Sequence, residues 1–96
     1  MYNDLDPLLH SQLRLAIISM LVASDKVEFT YIQSETKAAA GNISIQIKKL
    51  EDAGYIKVEK SFKNNYPNTM LSITDKGVKA FESYVNSLKN YLHPKK

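Results

Sequence analysis

The chain reads as mainly α with one small β-hairpin, and three observations lead there. Apolar residues recur at helical spacing in a long stretch near each end, 5–23 and 75–92. Between them, two shorter helical stretches are parted only by Lys37-Ala38. After these, 55–62 and 70–73 alternate apolar and polar residues on either side of a segment rich in turn formers. A chain of 96 residues suits one domain. It has little material with which to enclose a catalytic cavity.

Each element has a local reason. Asp6-Pro7 opens the first helix, with proline at the first helical position. Its run from Leu13 to Ala23 is apolar nearly all round, so burying one face leaves the other in need of a second partner. Val27-Glu28-Phe29 alternates and fits a minimal strand. Thr30-Tyr31-Ile32-Gln33 matches a capping box, which starts a short helix ending near Thr36. The next segment, Asn42-Ile43-Ser44-Ile45-Gln46-Ile47-Lys48, alternates like a strand. It reads as helix because Ile43, Ile47 and Leu50 share one helical face and good helix formers flank the run. Ile45 must then point away from the core, and Gly54 is a natural left-handed stop.

The two alternating runs that follow form a hairpin around a polar loop, Lys63-Asn64-Asn65-Tyr66-Pro67-Asn68. Thr74 caps the last helix and His93-Pro94 ends it. Its two apolar series, Phe81-Tyr84-Leu88-Tyr91 and Val78-Val85-Leu92, make a face wider than one small core requires. Helix, short strand, helix, helix, hairpin, helix is the order of a winged helix-turn-helix. The helix-turn-helix spans about 30–53, the wing about 55–73 and the last helix about 75–92.

The formal net charge of +3 is unevenly placed. Residues 1–36 carry Asp4, Asp6, Asp25, Glu28 and Glu35 against Arg14 and Lys26, while 37–50 carry Lys37, Lys48 and Lys49 with no acid. Residues 51–73 are balanced, and 74–96 are basic again through Lys76, Lys79, Lys89, Lys95 and Lys96. Lysines clustered at a turn and on the following helix are the footprint of a polyanion site, or of a solvated face.

The helical projection places Gly41, Ile45, Lys48 and Asp52 opposite the Ile43/Ile47/Leu50 face, with Asn42, Ser44 and Lys49 on the flanks. In a major groove, Asn42 and Ser44 supply hydrogen bonds, Ile45 meets a thymine methyl and Gly41 lets backbone approach phosphate. Lys37, Gln46, Lys48 and Lys49 complete this surface, and Lys60, Lys63, Asn64 and Asn65 extend it along the wing. The competing reading is a protein-interaction module centred on Ile45 and the tyrosines. Excess apolar surface on the end helices points to a homodimer through Leu9, Leu13, Ile17, Phe81, Tyr84, Leu88 and Tyr91.

Other chemistry finds no support. With no cysteine there is no disulfide, thiolate metal site or cysteine nucleophile. His10 and His93 are isolated, so they fit a core or a dimer edge rather than a metal. No glycine-rich phosphate loop or nucleophile–base pattern occurs, so neither an enzyme nor a cofactor is expected. Arg14, the only arginine, could reach a phosphate from the first helix, but the better expectation is a structural ion pair with Asp or Glu. The longest apolar run is broken by Arg14 and Ser19, too short for a bilayer. An acidic start in place of a basic leader makes the cytoplasm the expected location.

Four stretches carry a family likeness: Leu5 to Ser11 with Leu13 to Ile17; Phe29-Thr30-Tyr31; Gly41-Asn42-Ile43-Ser44 with Lys48 to Ile56; and Leu71 to Gly77 with Ala80-Phe81. In these the sequence resembles the small standalone winged-helix DNA-binding domains related to the MarR-type transcriptional regulators. The resemblance implies a dimeric regulator of transcription, a repressor by analogy, whose terminal helices pair and whose third helix reads duplex DNA. It departs from the pattern at Ala39, where Ser or Thr is common, at Ile45, where Arg or Gln is common, and at Lys37, where Gly is common.

Overall fold

The computed structural model describes Tyr2 and residues 4–94; Lys95 and Lys96, counted above in the basic last segment, lie outside the described residues. The elements are α1 (Gln12–Ala23), β1 (Val27–Glu28), α2 (Phe29–Thr36), α3 (Ala40–Asp52), β2 (Ile56–Lys63), β3 (Tyr66–Ile73) and α4 (Asp75–Leu92). This is the expected winged helix-turn-helix.

The helix expected from residue 5 starts only at Gln12. Asp6 acts locally as foreseen, but for a single turn: its Oδ1 accepts from the Leu8 N–H at 2.9 Å, and its carbonyl accepts from the Leu9 and His10 N–H groups. That turn tucks Leu9 into the core. Ser11 then leaves the turn in extended backbone, and α1 begins with Leu15 N–H bonded to the Ser11 carbonyl. Ile17, Ile18 and Leu21 are the fully buried residues of α1.

The capping box at Thr30 does not form. Glu28 occupies the N-cap of α2 because Val27 and Glu28 are held as strand by Leu71 and Met70, so the helix starts at Phe29. Thr30 Oγ1 instead donates to Glu28 Oε2 at 3.4 Å. At the other end of α2, Thr36 Oγ1 donates to the Ile32 carbonyl at 2.8 Å and accepts from the Ala38 N–H at 3.3 Å. Lys37 takes the left-handed conformation, φ 56°, with its N–H on the Gln33 carbonyl. A β-carbon disfavours that conformation, which is why glycine is the usual occupant of such a turn.

α3 is a helix, as its flanks indicated, and Ile43, Ile47 and Leu50 are buried against α1 and β2 while Ile45 is 57% exposed. Its C-terminus is a Schellman closure: Gly54, φ 80°, donates to the Glu51 carbonyl and Tyr55 to the Leu50 carbonyl. Thr74 docks α4 onto this closure by donating to the Gly54 carbonyl at 2.6 Å while capping Gly77 N–H. Gly77 permits the close approach, since a β-carbon there would lie 2.2 Å from the Tyr55 carbonyl oxygen.

The sheet order is β1-β3-β2, all antiparallel, so the minimal strand at Val27 closes one edge. The loop foreseen over 63–68 is shorter: only Asn64 and Asn65 form the turn, both at positive φ, and Lys63 pairs with Tyr66. Two residues of this kind match the strand twist, so the ladder runs to the turn. Pro67 survives in β3 because it faces Phe62 at a non-hydrogen-bonded position, next to the open edge beyond β1. From Glu59 to Pro67 the hairpin is exposed on both strands and projects from the body.

Candidate nucleic-acid interface

The core decides which side chains are left for a partner. Because α3 gives Ile43, Ile47 and Leu50 to the interior, Gly41, Asn42, Ser44, Ile45, Lys48 and Lys49 all fall on its exposed surface. Gln46 is half-buried and turns toward α1. Ser44 and Lys48 also line a groove of about 320 Å³ between α3 and the sheet, whose far wall is Val58, Lys60 and Thr69. Helix and wing base therefore share one surface. Lys63, Asn64 and Asn65 lie farther out, at the tip of the hairpin.

Two of the lysines already have partners. Lys48 Nζ donates to Asp52 Oδ1 at 2.9 Å, and this bond, followed by the charge of Asp52, raises the lysine pKa. Lys63 Nζ lies 3.4 Å from Glu28 Oε1. Both pairs are exposed, and such pairs are weakly held against a competing polyanion. Lys37, Lys49 and Lys60 have no ion-pair partner among the described residues.

Among the described residues Arg14 makes no ion pair, contrary to expectation. Its Nε donates to the Leu8 carbonyl at 2.6 Å and its Nη1 to Gln46 Oε1. The Asp6 turn brings Leu8 over α1 and the α1–α3 contact brings Gln46 alongside, so neutral acceptors reach the guanidinium first. Gln46 Nε2 in turn donates to Asn42 Oδ1 at 2.9 Å. Arg14 thus touches the candidate surface by way of Gln46, a pairing of which the spacing of 32 residues gives no local signal.

The expected dimer face contracts. Leu9 and Ile17 are fully buried in the protomer's own core, and Tyr84 is 5% exposed, so these three have almost no surface to give a second chain. The cause is the Asp6 turn, which seats Leu9 inward, and His10 Nδ1, which holds the Tyr84 hydroxyl at 3.0 Å. Leu13, Phe81 and Leu88 are half-buried and Tyr91 is exposed beside Tyr2, ring centroids 5.1 Å apart. Leu13, Ala16 and Met20 also line an open groove of about 520 Å³ whose other wall is Glu35, Thr36, Ala38 and Asn42, so that groove faces the helix-turn-helix and not α4. Phe62 and Tyr66, exposed by 78% and 74% on the wing, were not singled out from sequence. Strand parity puts Phe62 in line with Ile56 and Val58, and only the reach of the hairpin beyond the body removes it from the core.

Among the described residues no helix is long and apolar enough to cross a membrane, and no three His, Asp or Glu converge as metal ligands.

Comparison with known proteins agrees with this architecture. Residues 13–92 match the family described as winged helix DNA-binding domain. An uncharacterised protein of Methanocaldococcus jannaschii is 32% identical over 76 residues, covering 79% of this chain and 83% of that one. The solved structure of a transcriptional regulator homologue from Pyrococcus horikoshii superposes with a TM-score of 0.81 at 30% identity, over 88% of this chain and 84% of its own. The crystal structure of MarR superposes at a TM-score of 0.77 and 15% identity, over 88% of this chain and 61% of that one. The chain belongs to the winged helix DNA-binding domain family, as a small member with the MarR-like fold.

Proposed function

We propose that the chain is a sequence-specific double-stranded DNA-binding regulator of transcription that acts as a homodimer and represses by occupying its operator. α3 enters the major groove, and the wing follows the backbone or the adjacent minor groove. The observation that carries this reading is the make-up of the exposed face of α3. It holds Ile45, 57% exposed, and Gly41, where a β-carbon would meet nothing within 4 Å beyond its own stretch of helix. Neither serves the fold: an exposed isoleucine gains no core burial, and a glycine in the first turn of a helix is a poorer helix former than alanine. Both serve a duplex, the first at a thymine methyl and the second at a close phosphate. The adjacent Lys37, Lys49 and Lys60 supply sequence-independent attraction.

The dimer is supported by the apolar surface left on Leu13, Phe81, Leu88 and Tyr91. A two-fold axis there sets two α3 helices about 34 Å apart on one side of the duplex. Selection from a randomised duplex pool tests the reading. The expected product is a pseudo-palindrome with half-site centres about 10 base pairs apart. Enrichment of no sequence, with retention of none of the pool at low salt, overturns it in favour of a protein-interaction module. Light scattering tests the dimer: twice the 10.9 kDa chain mass is expected at micromolar concentration, and a monomer refutes the two-half-site arrangement.

A further inference from the structure

We propose that Arg14 is a positioning residue for the recognition surface: through Gln46 it fixes the direction of a hydrogen-bond chain so that Asn42 presents its amide N–H pair to an acceptor on duplex DNA. The inference rests on the DNA-binding reading above and goes beyond it in naming the group that faces the duplex and what orients it.

A guanidinium only donates. Arg14 holds the Leu8 carbonyl with Nε and reaches Gln46 with Nη1, so the atom of Gln46 that faces it must be the amide oxygen. The Gln46 amide nitrogen therefore points the other way, along α3, one turn back to Asn42 at 2.9 Å. A donor there demands the oxygen of Asn42, which leaves the Asn42 nitrogen outward. Asn42 is exposed, and among the described residues its Nδ2 has no partner.

Asparagine alone can turn either end of its amide to a ligand. Anchored in this way, the side chain meets acceptors: purine N7, guanine O6, thymine O4 or a phosphate oxygen. The fork geometry matters, since one planar group serves two acceptors in different directions, which a lysine ammonium does not reproduce. The Leu8 carbonyl belongs to the Asp6 turn, so the chain begins in the N-terminal segment and ends on the reading face.

Three single variants and one double variant test this, using the full chain, the duplex selected from a random pool and a random-sequence duplex of equal length. Asn42→Ala removes the donor. Gln46→Met removes the link while leaving Arg14 on Leu8. Arg14→Lys keeps the charge but loses the fork. Circular dichroism confirms that each is folded before binding is measured, and Gln46→Met, at a half-exposed site, keeps the test open if Arg14→Lys is unstable. Each single variant is expected to lose about tenfold, with an unchanged salt slope because a neutral donor releases no counterion. Adding Arg14→Lys to Gln46→Met is expected to cause no further loss, as for two members of one chain.

A loss confined to one base pair per half-site identifies a base acceptor, whereas an equal loss on both duplexes identifies phosphate, and either supports the proposal. Wild-type preference and affinity in Gln46→Met and Arg14→Lys, with loss only in Asn42→Ala, overturn it. So does full additivity of Arg14→Lys and Gln46→Met. If the wild-type chain binds neither duplex at low salt, the DNA reading itself fails and takes this proposal with it.

Discussion

Lys37 and Gly41 are each the opposite of what the fold alone would select. Lys37 sits at φ 56°, where a side chain costs about 1 kcal/mol. Gly41 is the second residue of α3, with open space where a side chain would project. Lys37→Gly is expected to raise stability by up to about 1 kcal/mol, a Tm gain of roughly 4–8 °C for a domain of this size. It should also make the salt dependence of duplex binding shallower by about one phosphate. Gly41→Ala should likewise stabilise the chain, by up to about 0.5–1 kcal/mol in urea unfolding, the upper end being that of a helix interior. Its added methyl should weaken duplex binding about tenfold, the equivalent of about 1.4 kcal/mol. A stabilised Gly41→Ala protein with undiminished affinity would place the phosphate elsewhere.

Between elements, the joint formed by the end of α3, the start of β2 and the start of α4 is the most tightly specified. Gly54, Thr74 and Gly77 close it from the backbone, and Tyr55 ties it to the N-terminal turn by donating its hydroxyl to Asp6 Oδ2 at 2.6 Å. Partial burial, then the bond to Asp6 and its charge, push the Tyr55 pKa up to about 12 from its ordinary value of 10. The fold therefore favours the protonated phenol. Its contribution is full below about pH 10 and is lost as pH rises through about 12. In denaturant unfolding followed against pH, Tyr55→Phe should be less stable than wild type at pH 8, and the gap should close between pH 10 and 12. A gap constant over that window would show that the phenol proton is not part of the joint.

α3 was legible because Ile43, Ile47 and Leu50 share a face whatever lies opposite, and Gly54 and Thr74 carry their capping chemistry in their own identity. The exposed lysines and asparagines of the candidate surface followed from the same projection. The capping box at Thr30 failed because strand pairing of Val27 and Glu28 fixed the helix start two residues earlier. The partners of Arg14 and the burial of Leu9, Ile17 and Tyr84 depend on which neighbour claims which face. Periodicity reports that a face is apolar; only packing reports what covers it.

Taken whole, the chain is elongated, 58 × 26 × 21 Å, and its radius of gyration of 14.6 Å exceeds the about 13 Å typical of a compact domain this long. A hairpin that is exposed from Glu59 to Pro67 buries little of its own surface, so its rigidity comes from the paired ladder and the two-residue turn. Such a projection, set beside the lysine-bearing face of α3, gives the modest net charge of +3 a direction. The acids of the first third lie mostly on other elements. The measurement that bears most directly on the account is the salt dependence of duplex binding by wild type, Lys48→Ala and Lys49→Ala. The expected result is a linear fall of log affinity with log salt, at about 0.9 per phosphate contacted, with each substitution making the slope shallower by about one unit. No duplex binding at low salt by folded protein, or a slope unmoved by either substitution, would contradict a DNA-reading α3.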